Sequence, residues 1–214
     1  MPSLAQRLKA ETKALHTAAE RSRFMAVLLR GQMGRAPYCA MLRNLHAIYA
    51  ALEPALARRA RHPVIAPVFL PGLVRTDALA DDLLALHGAD WPSAFELLPT
   101  SLRYVAHLHA IEAGHPERLL AHAYVRYLGD LSGGQMLRRI VRQSMALPPG
   151  QGTAFYEFGT SEETVQLKRA YREGLEQLQP DEATARAIVA EARRAFELHM
   201  QLFEELASDM LAAF

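Results

Sequence analysis

The chain has 214 residues, 50% of them hydrophobic, with 24 Lys plus Arg set against 23 Asp plus Glu. A chain of this length buries on the order of 70% of its unfolded surface and is expected to form one domain, residues 1–214. Charges this nearly balanced exclude a global field of the kind that gathers nucleic acid or an anionic membrane, so no nucleic-acid partner is expected. The single cysteine, Cys39, excludes an intramolecular disulfide and any cysteine-built zinc or iron–sulfur cage, and reads as a small core residue. The opening MPSLAQRLKAETKALH has no signal-peptide run, and apolar stretches such as PVFLPGLV are short and broken by proline. A cytoplasmic protein is expected.

Apolar residues recur with helical spacing along the whole chain. The pattern predicts helices at about Leu4–Leu29, Arg35–Arg61, Asp77–Leu86, Ser101–Ala113, Pro116–Met145, Glu162–Leu178 and Asp181–Leu211. Thr160 followed by Glu163, and Pro180 followed by Asp181 and Glu182, read as helix starts. Proline spacing defeats helix and sheet alike in HPVIAPVFLPG and MALPPGQGTAFYEFGTS, which are expected as loops. No strand, repeat or linker emerges, so the fold class is all-α and single-domain.

Nine histidines are the metal-ligand candidates. His46, His62, His87, His107 and His109 read as surface or packed core residues. Glu112 and His115 have the Glu-x-x-His spacing of di-iron bundles, but the required second copy is missing and Gly114 and Pro116 mark a helix boundary. His16 differs. It follows Leu8 by eight residues on an apolar helical face and precedes Glu20 by one turn. A carboxylate so placed accepts from Nδ1–H and leaves Nε2 free for a metal.

The stretch AYVRYLGDLSGGQMLRR carries Gly129, Gly133 and Gly134 inside an otherwise helical run. Each glycine costs a helix roughly 0.5 to 1 kcal/mol relative to alanine. Two readings account for that loss. Either two helices pack closely through small residues, or bare backbone lies against a flat, bulky ligand whose other face is met by the His16 helix. Asp130, between the glycines, is either a solvent-facing residue or part of a buried polar network.

These segments resemble the haem oxygenases of the biliverdin-forming, all-helical type. KALHTAAERSRFM is similar to that family's proximal-histidine segment, and AHAYVRYLGDLSGGQMLRR to its distal-helix signature. IYAALE, APVFLP and AFELHMQLFEEL also fall, in order along the chain, where the family has similar segments, so the likeness spans almost the whole chain. The resemblance implies a helical bundle with haem b sandwiched between a proximal and a kinked distal helix. It also implies the activity: dioxygen and reducing equivalents cleave haem, both substrate and cofactor, at a meso carbon to biliverdin, carbon monoxide and ferrous iron.

By the same resemblance His16 is the proximal iron ligand and Glu20 its hydrogen-bonding partner. Gly129 and Gly133 contact the haem and leave room for dioxygen, Gly134 helps the helix bend, and Asp130 orders water near the iron. Lys9, Tyr124, Lys168 and Arg172 match positions that hold the haem propionates; Lys168 and Arg172 also lie one turn apart, a spacing suited to a carboxylate clamp. A ferredoxin, a flavodoxin or a flavoprotein reductase is the implied electron donor. Animal members carry a C-terminal membrane anchor, whereas the tail LASDMLAAF predicts none here, and His199 stands where those members have an amide side chain. A haem carrier without turnover, and a same-fold hydrolase using Cys39, are the alternative readings.

Overall fold

Helices occupy the stretches that apolar spacing assigns to them. The computed structural model describes residues 2 to 212, so Met1 and, from the tail, Ala213 and Phe214 lie outside the described residues. In chain order the helices are α1 Leu4–Glu20, α2 Arg23–Leu29, α3 Arg35–Arg58, α4 Thr76–Leu86, α5 Trp91–Ala94, α6 Pro99–Gly114, α7 Leu119–Ser144, α8 Ser161–Gln177 and α9 Glu182–Ala212. Among the described residues there is no strand, and no helix is long and apolar enough to cross a membrane.

The expected first helix is two helices. The chain turns at Arg21, and Ser22 starts α2 by accepting a hydrogen bond from the Met25 amide at 3.4 Å. A serine oxygen offered to free N–H groups makes a new helix start where continued apolar spacing predicts one rod. The two proline-rich loops contain short 3-10 turns at Ala66–Val68, Pro71–Leu73 and Ala154–Tyr156, and Pro116–Arg118 is another, so α7 begins three residues later than its pattern implied. Helix α5 is a single turn that no periodicity announced. Thr160 and Glu163 cap α8 reciprocally, at 3.2 and 2.7 Å, as their spacing predicted.

Long α9 packs along α1, α2 and α7, while α3 is flanked by α4 and α6. Tyr38, Tyr49, Tyr104 and Tyr171 are fully buried among leucine and isoleucine side chains. Each carries a hydroxyl into that core, and a buried hydroxyl is costly without a partner. Buried acids tie loops to the bundle. Glu53 on α3 accepts from the Arg75 and Thr76 amides at 2.6 and 3.1 Å, fixing the start of α4. Asp82 on α4 accepts from the Ala154 and Phe155 amides at 2.7 and 2.8 Å, which sets the turn carrying Tyr156. Cys39 is buried, and burial pushes its thiol up to about 11, which removes it as a nucleophile.

Candidate active site

One cleft, about 1000 Å³ of empty space and partly open to solvent, gathers the expected residues from separate helices. His16 and Glu20 reach it from α1, Gly129, Asp130, Gly133 and Gly134 from α7, and Phe196, His199 and Phe203 from α9. Its walls are mostly apolar with a few convergent polar groups, the usual character of a cofactor pocket.

The His16 side chain is half exposed at the cleft edge, its ring meeting the Phe196 ring edge-on at 5.9 Å. Glu20 Oε2 lies 3.5 Å from His16 Nδ1, so Nε2 is the nitrogen left for an incoming metal. On α7 the helix runs unbroken through the glycines. A Cβ at Gly129 or at Gly133 would meet nothing within 4 Å, whereas one at Gly134 would sit 3.5 Å from the Tyr156 ring. The glycines therefore differ by position. Gly134 is the close-packed one, and Gly129 and Gly133 bare the backbone to the cleft.

Asp130 is buried, not solvent-facing. One carboxylate oxygen accepts from Arg126 Nη2 at 2.9 Å and the other from the Tyr49 hydroxyl, while Arg126 Nε also donates to that hydroxyl at 3.1 Å. Burial pushes the Asp130 carboxyl above its usual range, against the pull of Arg126, Tyr49 and Arg75. Burial alone would lower Arg126, but the charge of Asp130 and the contact with Tyr49 hold it above its usual range.

The expected propionate ligands lie outside the cleft lining. Lys9 on α1 and Arg172 on α8 are exposed, Lys168 is half-buried and Tyr124 on α7 is half-buried. Burial and the neighbouring Arg172 charge both lower Lys168, which places the two cations together. Burial raises Tyr124, while Thr12 and Arg172 pull the other way, so α1, α7 and α8 meet here. Lys9 precedes His16 by seven residues, about 10 Å along a helix, the scale of a bulky planar ligand reaching from iron to edge.

Sequence reasoning missed the polar partners. Arg126 and Asp130 are an i,i+4 pair of opposite charge, a signal present in the sequence. Tyr49, Tyr104, His122 and Glu191 carried no local signal, because their partners lie 18 to 95 residues away. His199 lines the cleft and is 3% exposed, and burial holds its pKa well below 6.5. His107, His122 and Glu191 form a cluster of metal-ligand types. It lies outside the cleft lining, and its 2.5 and 3.2 Å separations are hydrogen bonds. The Glu112–His115 spacing builds no site, since Glu112 is held by Arg58 at 2.7 and 2.8 Å.

The fold is a helical bundle whose cleft brings together a histidine and open glycine backbone. The family model Heme oxygenase matches residues 2–205. Heme oxygenase 2 of Synechocystis sp. is 42% identical over 100% of this chain and 86% of its own length, and Heme oxygenase 1 of Rattus norvegicus is 40% identical over 95% and 71%. The crystal structure of heme oxygenase-2 from Synechocystis sp. PCC 6803 in complex with heme and NO has a TM-score of 0.93 at 42% identity, covering 100% of this chain and 88% of that one. Heme oxygenase from Leptospira interrogans has a TM-score of 0.90 at 34% identity, covering 95% and 100%. The chain belongs to the heme oxygenase family, whose members are enzymes that degrade haem to biliverdin.

Proposed function

We propose that this chain, acting as a single unit, binds haem in the cleft, where His16 would hold the iron, and cleaves it at a meso carbon. Bound there, haem supplies the iron that takes up dioxygen and the porphyrin edge that is opened to biliverdin, carbon monoxide and ferrous iron. The observation that carries the reading is that Gly129 and Gly133 turn bare backbone toward a cleft that His16 also lines.

The chain's own residues have separable tasks. Glu20, 3.5 Å from Nδ1, holds the imidazole so that Nε2 faces the ligand. A neutral imidazole donates less electron density than the thiolate used where O–O cleavage is wanted. Gly129 and Gly133 let α7 approach closely, and Gly134 keeps that helix seated on Tyr156. Asp130, oriented by Arg126 and Tyr49, orders water on the cleft wall and passes protons from its carboxyl oxygens. Lys168, Arg172, Lys9 and Tyr124, beyond the cleft lining, would hold the two propionates and so bias which meso carbon is attacked.

Electrons arrive from a separate ferredoxin, flavodoxin or flavoprotein reductase. Arg138, Arg139 and Arg142 border one shallow depression near the end of α7, a basic face for an acidic donor. A cytoplasmic setting fits a chain whose lone cysteine is free.

The test is a visible absorption series on protein mixed with one equivalent of haemin, then given a reductase–ferredoxin system in air. Loss of the Soret band with growth of a red-absorbing biliverdin band and release of carbon monoxide is expected. A Soret band that persists under reduction and oxygen means a haem carrier instead. In His16→Ala the histidine-ligated spectrum should disappear and added imidazole should restore it, with little change in stability because the side chain is half exposed.

A further inference from the structure

A chain of hydrogen bonds joins the cleft wall to a carboxylate that does not line the cleft. His199 Nε2 lies 3.4 Å from the Tyr104 hydroxyl, and that hydroxyl lies 2.8 Å from His122 Nδ1. His122 Nε2 is 3.2 Å from Glu191 Oε1, which also meets His107 Nε2 at 2.5 Å. Tyr104 and His122 are fully buried, and Glu191 and His199 are 5% and 3% exposed.

The donor directions follow from Glu191. Burial works against its charge, but hydrogen bonds from His122 and His107 hold its carboxyl down at about 2. An ionised carboxylate only accepts, so His122 Nε2 must carry a proton. Burial keeps His122 neutral, which leaves its Nδ1 bare and able only to accept from the Tyr104 O–H. With that proton committed, the Tyr104 oxygen accepts from His199, whose Nε2 therefore carries the proton. Burial keeps His199 neutral as well, so its Nδ1 is a lone pair. That Nδ1 is buried with no partner among the described residues, on a side chain that lines the cleft.

We propose that Glu191 is a positioning residue for the cleft: through His122 and Tyr104 it fixes His199 as the Nε2–H tautomer, so that Nδ1 accepts a hydrogen bond from a water or protonated oxygen held there. A water so held turns its own lone pairs away from the α9 wall. The inference rests on the haem reading only for what occupies the cleft; the tautomer itself does not depend on it.

Long-range proton–nitrogen correlation spectra of haem-free, 15N-histidine-labelled protein test this directly. His199 and His122 are both expected as Nε2–H. Tyr104→Phe, which keeps the ring, and Glu191→Ala should each shift His199 toward a tautomer mixture, with loss of Nε2–H signal. A wild-type His199 protonated on Nδ1, or an unchanged Nε2–H population in either variant, overturns the proposal. The wild-type spectrum can overturn the proposal even if a variant fails to fold, and Tyr104→Phe, which keeps the ring, tests the relay independently of Glu191→Ala. Protein that shows the expected tautomer yet leaves haem intact would sink the haem-cleaving reading alone, and protein that degrades haem with His199 protonated on Nδ1 would sink this one alone.

Discussion

Arg126 and Asp130, one turn apart on α7, close a 2.9 Å ion pair inside the protein, and Tyr49 donates to the second Asp130 oxygen. Neither charge survives burial well without the other, because desolvation of one is offset by attraction to its partner. Asp130→Ala leaves the Arg126 guanidinium stranded. Haem should still bind, since His16 is untouched, while biliverdin formation is lost and folding stability falls by about 3–5 kcal/mol. Single-turnover assays and urea titration check both parts; a biliverdin yield equal to wild type removes Asp130 from the chemistry.

The glycines should respond to alanine in opposite ways. Open space surrounds a Cβ at Gly129 or Gly133, so alanine there gains roughly 0.5 to 1 kcal/mol of helix stability in haem-free protein. The same methyl group enters the cleft and should weaken haem binding or slow turnover. At Gly174 a Cβ would collide with the Pro67 carbonyl oxygen, so Gly174→Ala should destabilise the fold without that gain. Thermal denaturation of the three variants, followed by haem titration, separates the cases. Loss of stability in Gly133→Ala would mean that the backbone there serves packing.

If Lys168 and Arg172 orient the propionates, removing both charges should release orientation before affinity. The double variant Lys168→Ala, Arg172→Ala is expected to give a mixture of biliverdin isomers where wild type gives mainly one. Each charge is partly screened by solvent, so stability should move by no more than about 0.5 kcal/mol. Chromatographic separation of the isomers is the readout, and an unchanged isomer ratio with unchanged haem affinity would place the clamp elsewhere.

Burial lowers both His122 and His199, so the native state resists protonating either ring. Below the ordinary histidine value of about 6.5 the unfolded chain binds these protons and the native chain does not. Stability is therefore full above that pH and falls as the pH drops, by up to about 1.4 kcal/mol per pH unit for each ring. His199→Asn should remove one ring's share of that slope. Urea midpoints for both proteins between about pH 6.5 and 5 measure it, and parallel curves would mean that His199 takes up its proton in the folded state.

Much of the fold was legible because helical spacing is local information. Most helices are present near their expected boundaries, and the Thr160–Glu163 capping box forms as read. The break at Ser22 was not, since a cap and a continued helix share one apolar pattern until packing chooses. His16, Glu20 and the α7 glycines, which line one cleft, could be picked out because each depends on spacing within one helix. The tyrosines bonded to cleft-lining residues could not: Tyr49 and Tyr104 look like ordinary core aromatics until partners from other helices reach their hydroxyls.

The sequence by itself determined the class of the chain, its helices, the histidine with its neighbouring glutamate, and the glycine-rich segment. It left open which glycine packs against another element and which faces open space, and whether Asp130 faced water. Only tertiary structure decided these, because the answers depend on what another helix places opposite: Tyr156 against Gly134, open cleft before Gly129 and Gly133, and Arg126 with Tyr49 around Asp130. It likewise decided that His199 joins Tyr104, His122 and Glu191 in one buried run of hydrogen bonds. A hydrogen bond needs atoms within about 3 Å, and residues far apart in sequence reach that distance only once the bundle has closed.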